Sequence, residues 1–253
     1  MRTRYLILLA AVVFAVGLFV QIPAAHVYGW VHAASPSLPV TLYGVDGTVV
    51  HGRSDEVTVQ GRPLLTGLRW QLRAPSLLIG RASYTLSSDN DPLLIDGVAA
   101  AGLGGSRLTD FKARGDVRKL AAVFGQAFMP VTGQVGLDLD LLRMRNAWPV
   151  EVKGRVAAIE LAWALGPEPV RLGNYEATLS NEGDDLLALI STLDGNLEIN
   201  GDARLKPDRS YELRLQLRPR PNAPPLLNNM LRSLGQPDPQ GYFQLQRKGQ
   251  VPA

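Results

Sequence analysis

Residues 196–218, which read NLEINGDARL (196–205), KPDRS (206–210) and YELRLQLR (211–218), decide the fold class of this chain. The first and third segments alternate apolar and polar side chains with a period of two, as a half-buried β-strand requires. The middle segment holds Pro207 and Asp208, residue types that are typical of tight turns. The stretch therefore predicts an antiparallel β-hairpin.

The same rhythm extends outward from this hairpin over most of the chain. In Leu68–Arg73, for example, Leu68, Trp70 and Leu72 share one face of a strand. Glycine and proline make up roughly 17% of the residues and fall between short alternating segments, a pattern of many strands and many turns. Further strands are predicted at 48–50, 57–61, 82–86, 93–101, 108–113, 133–141, 150–157, 175–180, 186–192 and 241–247, with a turn at His51–Asp55.

Two short amphipathic helices interrupt the strands. Asp116 is a suitable N-cap for a helix with apolar residues at Val117, Leu120, Phe124 and Phe128, and Pro130 would end it. A second helix is predicted over 225–234, with proline at its start and glycine just past its end. The chain is thus predicted to be mainly β, an elongated twisted antiparallel sheet formed as a meander and carrying two helices. Alternation does not distinguish an open groove from a closed sandwich.

An apolar segment of eighteen residues without charge, Tyr5–Ile22, lies near the start of the chain. As a helix it would be about 27 Å long, close to the thickness of a hydrocarbon core. Arg2 and Arg4 precede it, and the positive-inside rule keeps such residues cytoplasmic. The segment predicts a transmembrane anchor; the apolar and aromatic side chains taken to mark it are Tyr5, Leu9, Phe14, Phe19 and Ile22.

This topology divides the chain into four parts: a cytoplasmic tip (1–4), the transmembrane helix (5–22), a juxtamembrane linker (23–40) and an exported β-rich domain (41–253). The rival interpretation is a cleaved signal peptide. The apolar run is longer than a typical signal core, and the best small-residue cleavage site, around Ala33 and Ala34, lies more than ten residues past its end. An uncleaved anchor is therefore the preferred prediction.

Composition excludes several functional classes. The chain has no cysteine, so disulfides, thiolate metal sites, cysteine nucleophiles and lipidation at cysteine are all excluded. Two of the 26 basic residues belong to the predicted cytoplasmic tip, which leaves 24 against 23 acidic ones. These charges are spread along the chain, and no basic stripe with interleaved aromatics indicates nucleic-acid binding.

The search for catalytic or metal-binding motifs gives no candidate. The three histidines, His26, His32 and His51, lack the spacing of a zinc site. Asp138 and Asp140 are interpreted as the solvent face of a strand, and no calcium loop, phosphate loop or nucleophile elbow occurs. No catalytic residue, cofactor or metal is predicted. Four strand arginines, Arg69, Arg73, Arg214 and Arg218, are interpreted as solvated faces, with contact to a partner as the alternative.

Several motifs, in order along the chain, resemble a known family. They are Gly47–Arg53 (GTVVHGR), Trp70–Arg81 (WQLRAPSLLIGR), Pro130–Val135 (PVTGQV), Trp148–Gly154 (WPVEVKG), Leu217–Ala223 (LRPRPNA) and, most specifically, Leu231–Leu245 (LRSLGQPDPQGYFQL). On these motifs the chain resembles the type II secretion system protein N family, also called general secretion pathway protein N. Each motif is weak alone; their order over some 200 residues carries the resemblance.

The resemblance implies a non-enzymatic, single-pass inner-membrane protein of Gram-negative bacteria with a periplasmic domain. It would belong to the machinery that moves folded proteins from the periplasm across the outer membrane. The implied partners are the inner-membrane platform and the periplasmic domains of the secretin. Two other functions stay open: a lipid-binding or lipid-conducting β-groove, and a periplasmic enzyme such as a hydrolase.

Overall fold

The computed structural model describes residues 21–34, 40–89, 92–123, 125–126, 129–165, 168–221 and 223–251. In this part of the chain, fourteen strands form one open antiparallel sheet, accompanied by three α-helices and a 3₁₀ turn at Ala74–Ile79. The strands are β1 (Val40–Tyr43), β2 (Asp46–Gly47), β3 (His51–Val59), β4 (Arg62–Leu72), β5 (Arg81–Ser87), β6 (Leu93–Gly102), β7 (Gly105–Asp116), β8 (Val131–Arg145), β9 (Trp148–Trp163), β10 (Val170–Glu182), β11 (Asp185–Gly195), β12 (Leu197–Leu205), β13 (Ser210–Pro219) and β14 (Phe243–Gln250). The helices are α1 (Ala24–Ala34), α2 (Val117–Val123) and α3 (Pro225–Arg232).

The sheet is a meander in which each strand pairs with the next. Strand order runs β1, β3, β4 and then consecutively to β14, while β2 pairs with β3 beside β1. The hairpin predicted over residues 196–218 is confirmed: β12 and β13 pair from Leu205 opposite Tyr211 to Leu197 opposite Pro219. The strands form a single open sheet, so the closed two-sheet sandwich left open by the sequence is not the arrangement observed.

One face of the sheet is apolar and carries both core clusters. The first cluster joins β10, β12, β13 and β14 to α3 through Leu172, Tyr175, Leu197, Leu217, Leu227, Leu231 and Phe243. The second joins β3, β4, β6 and β7 through Val57, Leu65, Ile95 and Ala113, with Leu137 of β8 packed against it. In the register of β8 and β9, Leu137 lies opposite Val156, and Ala158 of the first cluster is two residues further along β9. Both clusters therefore lie on the same face, called here the apolar face.

The predicted helices form, but the first is shorter than expected. The Asp116 carboxylate accepts a hydrogen bond from the Lys119 N–H at 3.0 Å, which confirms the predicted N-cap of α2. The helix itself ends at Val123; Phe124 and Phe128 lie outside the described residues. Helix α3 begins at Pro225 as predicted and ends at Arg232, two residues early.

The predicted juxtamembrane linker contains a helix that the sequence argument did not expect. Helix α1 occupies Ala24–Ala34, whose sequence AAHVYGWVHAA has no proline, while Pro23 stands immediately before its first residue. A proline at that place loses no intrahelical hydrogen bond, because the first N–H groups of a helix have no partner within it.

Most of the predicted anchor lies outside the described residues, including Arg2, Arg4, Tyr5, Leu9, Phe14 and Phe19. Within the described ranges, no helix combines the length and the apolarity needed to cross a bilayer. Ile22 is described, and it is joined to the sheet: its C=O accepts a hydrogen bond from the Val49 N–H at 3.1 Å. Pro23 forms a β-bridge with Thr48 next to it. The end of the apolar segment is thus attached directly to the turn between β2 and β3.

Candidate interaction surfaces

The residues considered for chemistry do not form a catalytic or metal-binding centre. His26 and His32 lie on α1, whereas His51 begins β3. Among the described residues, no three His, Asp or Glu side chains come close enough to hold a metal ion. Asp140 pairs with Lys153 at 3.6 Å on the exposed surface.

Three of the four strand arginines make ion pairs within the sheet. Arg69 pairs with Asp89. Arg214 pairs with Glu212 at 2.7 Å, and Arg218 pairs with Glu198 at 2.7 Å. These pairs agree with the interpretation as solvated strand faces, because the three arginine side chains stay 61%, 56% and 41% exposed.

The C-terminal motif has a clear structural role, which is to turn the chain into β14. The Asp238 carboxylate accepts hydrogen bonds from the backbone N–H groups of Gln240 (3.0 Å) and Tyr242 (2.8 Å). Gly241 between them has φ of 86°, a left-handed conformation that glycine adopts without steric cost. The turn sends Tyr242 toward β12 and β13 and places Phe243 in the core.

Tyr242 completes a polar network on the face opposite the apolar one. The Glu198 carboxylate accepts hydrogen bonds from Arg218 at 2.7 and 3.1 Å, from Tyr242 at 3.1 Å and from Asn200 at 3.0 Å. The Arg218 guanidinium also lies over the Tyr242 ring, 4.3 Å from its centroid. The Arg218 hydrogen bonds hold the pKa of Glu198 below its ordinary value, with Tyr242 and Asn200 contributing further.

A second acidic residue is strongly stabilised as a carboxylate near the last strand. Glu212 of β13 lies between Lys248, 2.8 Å away, and Arg214, 2.7 Å away. Hydrogen bonds from the Lys248 ammonium and then the Arg214 guanidinium lower the pKa of Glu212 to about 2. The carboxylate therefore stays charged at any physiological pH, and it ties β14 to β13.

The apolar face forms a groove at the end of the sheet away from α3. The groove has a volume of about 460 Å³. Its apolar lining comes from six consecutive strands: Leu142, Val152, Leu179, Leu186, Leu187, Ala188, Ala203, Leu205, Tyr211 and Leu213. The leucines and Val152 are only half-buried, and Tyr211 is 38% exposed. No described segment of the chain fills this space as α3 fills the other end.

The turn between β12 and β13 contacts the start of β9. The Arg209 guanidinium, in that turn, lies over the indole ring of Trp148, 5.2 Å from its centroid. Two strands, β10 and β11, lie between β9 and the β12–β13 hairpin in the sheet order. The contact therefore ties the end of this hairpin to the β8–β9 turn.

The two edges of the sheet differ. At the first edge, the hydroxyl oxygen of Tyr28 on α1 accepts the N–H of Leu42 in β1 at 3.0 Å. At the other edge, β14 pairs with β13 and with no other strand among the described residues. Sequence reasoning missed both the Tyr28 contact and the Glu198 network. Tyr28 and Leu42 are 14 residues apart in the chain, and Glu198 and Tyr242 are 44 residues apart. Periodicity predicts single strands, so it gives no sign of contacts between such distant residues.

A family model described as "Type II secretion system (T2SS), protein N" matches residues 39–246. A protein of Aeromonas hydrophila named type II secretion system protein N is 27% identical over 242 residues, covering 92% of this chain and 93% of that protein. A protein of the same name from Vibrio cholerae serotype O1 is 25% identical over 228 residues, with 83% and 84% covered. No solved structure matches the chain significantly.

Proposed function

Because the chain belongs to the type II secretion system protein N family, we propose that it is a non-enzymatic, inner-membrane-anchored subunit of the type II secretion machinery. In this role it acts in the export of folded proteins from the periplasm across the outer membrane. The observation that carries the proposal is the family match over residues 39–246, which spans the sheet from before β1 into β14.

The proposed topology is a single span with the C-terminal domain in the periplasm. It is supported by the uncharged apolar segment 5–22 and by the two arginines that precede it. The attachment of Ile22 to Val49 also favours an anchor that remains part of the mature protein, because the segment ends where the folded domain begins. N-terminal sequencing of the mature protein tests this: a start at residue 1 or 2 is expected, and a start near residue 35 would refute the anchor.

The proposed partners are other components of the same machinery, namely the inner-membrane platform and the periplasmic secretin domains. The experiment is deletion of the gene in its own host, followed by measurement of a type II substrate in the medium and in the periplasm. Secretion should fall and the substrate should accumulate in the periplasm, with restoration by the full chain. Normal secretion in the deletion strain, together with no secretion component recovered after mild crosslinking of the tagged chain, would contradict the proposal.

The apolar groove favours a second candidate function, binding of a lipid acyl chain. Its lining is almost entirely apolar and half-exposed, and about 460 Å³ of space lies beside it. An acyl chain in that space would remove leucine surface from water, worth about 25 cal/mol per Å².

Mass spectrometry of the purified full chain tests this second function with a matched pair of variants on β11. Leu186 lines the groove, whereas Leu189 lies on the opposite face and is 51% exposed. Leu186→Gln should lower the amount of co-purified lipid several-fold, and Leu189→Gln should not. Equal lipid content in both variants, or none in the wild type, would refute lipid binding in this groove.

A further inference from the structure

The two edges of the sheet are not equally accessible to another strand. Edge strands expose N–H and C=O groups that pair readily with an extended polypeptide. On β1 this route is obstructed by α1, whose Tyr28 hydroxyl already accepts the Leu42 N–H. Just after β2, Thr48 forms a β-bridge with Pro23, and the Val49 N–H donates to the Ile22 C=O. The first edge is therefore covered by the chain's own N-terminal segment.

The last edge presents a regular row of backbone groups. The Val251 N–H donates to the Arg209 C=O at 2.9 Å, and the pairing of β13 with β14 has no register shift. Because antiparallel strands alternate the direction of their backbone groups, the odd-numbered residues from 243 to 251 bond to β13. The N–H and C=O groups of Gln244, Gln246, Lys248 and Gln250 point away from the sheet, and none of them has a backbone partner in the described part of the chain.

The charges on β14 select the kind of strand that fits. Lys248 forms an ion pair with Glu212, but Arg247 is exposed and makes no ion pair among the described residues. Arg247 lies opposite Leu213 and so on the apolar face, two residues beyond Leu245. A second copy of β14 (FQLQRKGQ) has no carboxylate to pair with Arg247 and would add further cations to the same edge, and like charges in adjacent strands are destabilising. An incoming strand with a carboxylate beside Arg247 relieves this charge instead.

We propose that the free edge of β14 is a strand-addition site for an extended segment of another polypeptide. The segment alternates apolar and polar residues, its apolar side chains continue the row of Phe243 and Leu245, and a carboxylate lies beside Arg247. Four strand residues with outward backbone groups supply the hydrogen bonds, and the side chains supply the specificity. The site itself rests on the geometry of the edge; the identity of the partner as a secretion component rests on the function proposed above.

The test uses the full chain in its host cells, with a photoreactive amino acid at Gln250 and the blocking variant Gln246→Pro. Proline removes an outward N–H without removing a bond to β13, and edge strands tolerate it. The control is Gln246→Ala, which keeps the backbone donor. We expect a crosslinked adduct, identified by mass spectrometry as a component of the secretion machinery, that falls at least tenfold with Gln246→Pro and is unchanged with Gln246→Ala.

Arg247→Glu provides a second variant that does not alter the backbone, and it should also reduce the adduct at least threefold. A photoreactive group at Gln216, on the inner strand β13, should give no such adduct. The proposal is overturned if the adduct survives both Gln246→Pro and Arg247→Glu, or if the captured molecule is a second copy of this chain. If secretion does not depend on the chain but a strand-dependent adduct forms, the proposed function fails and the edge site stands. If secretion depends on the chain and the adduct is insensitive to both variants, the edge site fails alone.

Discussion

Helix α3 offers the sharpest test of how the apolar face is stabilised, because two adjacent leucines on it have opposite environments. Leu227 is 1% exposed and packs in the core cluster with residues from β10, β12, β13 and β14. Leu226, its neighbour, is 44% exposed. The two residues share the helix and its propensity, so the difference between Leu227→Ala and Leu226→Ala reports burial alone.

The expected magnitude follows from the atoms removed. Leu→Ala deletes three carbons; at about 0.8 kcal/mol for each buried CH₂ the transfer contribution is roughly 2.4 kcal/mol. The cavity left behind adds to this, so Leu227→Ala should lower the free energy of unfolding by about 3 kcal/mol. Leu226→Ala should lower it by about 0.5 kcal/mol or less, as is usual for surface substitutions.

The assay is urea unfolding of the full chain in detergent, followed by far-ultraviolet circular dichroism. With a slope of about 3 kcal/mol per M, the midpoint of Leu227→Ala should fall by about 1 M, while that of Leu226→Ala should hardly move. Equal shifts for the two variants would refute the packing of α3 on the sheet. A large shift for Leu226→Ala alone would mean that the helix is rotated about its axis.

Three further predictions concern other parts of the sheet. Glu212 has a folded-state pKa of about 2, below its ordinary value of 4.5, so its contribution to stability is present above pH 4.5 and is lost as the pH falls toward 2. The melting temperature of Glu212→Gln should therefore fall less than that of the wild type between pH 6 and pH 3. Parallel curves of melting temperature against pH would contradict this. Tyr242→Phe removes the hydroxyl that donates to Glu198 and should lower the free energy of unfolding in urea by about 1 kcal/mol. An unchanged free energy of unfolding would contradict this. Gly201→Ala should prevent folding or lower the melting temperature strongly, because its Cβ would lie 2.0 Å from a backbone oxygen of β13, whereas Gly183→Ala meets no atom within 4 Å and should shift it by only a few degrees.

Alternation predicted the strands well where their side chains face a core on one side and water on the other. It failed at the start of β3, where the turn was predicted at 51–55 and the structure places a strand. Gly52 in that strand packs against Trp70, and only glycine fits there because a Cβ would lie 2.4 Å from the Trp70 ring. Ser54 is fully buried, and its hydroxyl donates to the Tyr43 C=O at 2.7 Å. Both residues are typical of turns, and only the tertiary contacts keep them extended.

The surfaces were less predictable than the strands. Periodicity indicated an apolar face, but the groove depends on which part of that face helix α3 leaves uncovered. Likewise, the free edge follows from strand order and from the position of α1, which the sequence presented as a linker. These features are set by contacts between residues far apart in the chain, so no local pattern encodes them.

The hydrogen bond between Ile22 and Val49 fixes the distance between the apolar segment and each strand of the sheet. If residues 5–22 span the membrane as proposed, no slack remains between the bilayer and the β2–β3 turn, and the sheet is clamped at that point. From β3 to β14 the strand order takes eleven steps, each of about 4.8 Å, so the free edge lies roughly 50 Å away along the sheet. The number of strands then sets how far into the periplasm the last strand reaches, and deleting one hairpin would shorten that reach by about 10 Å.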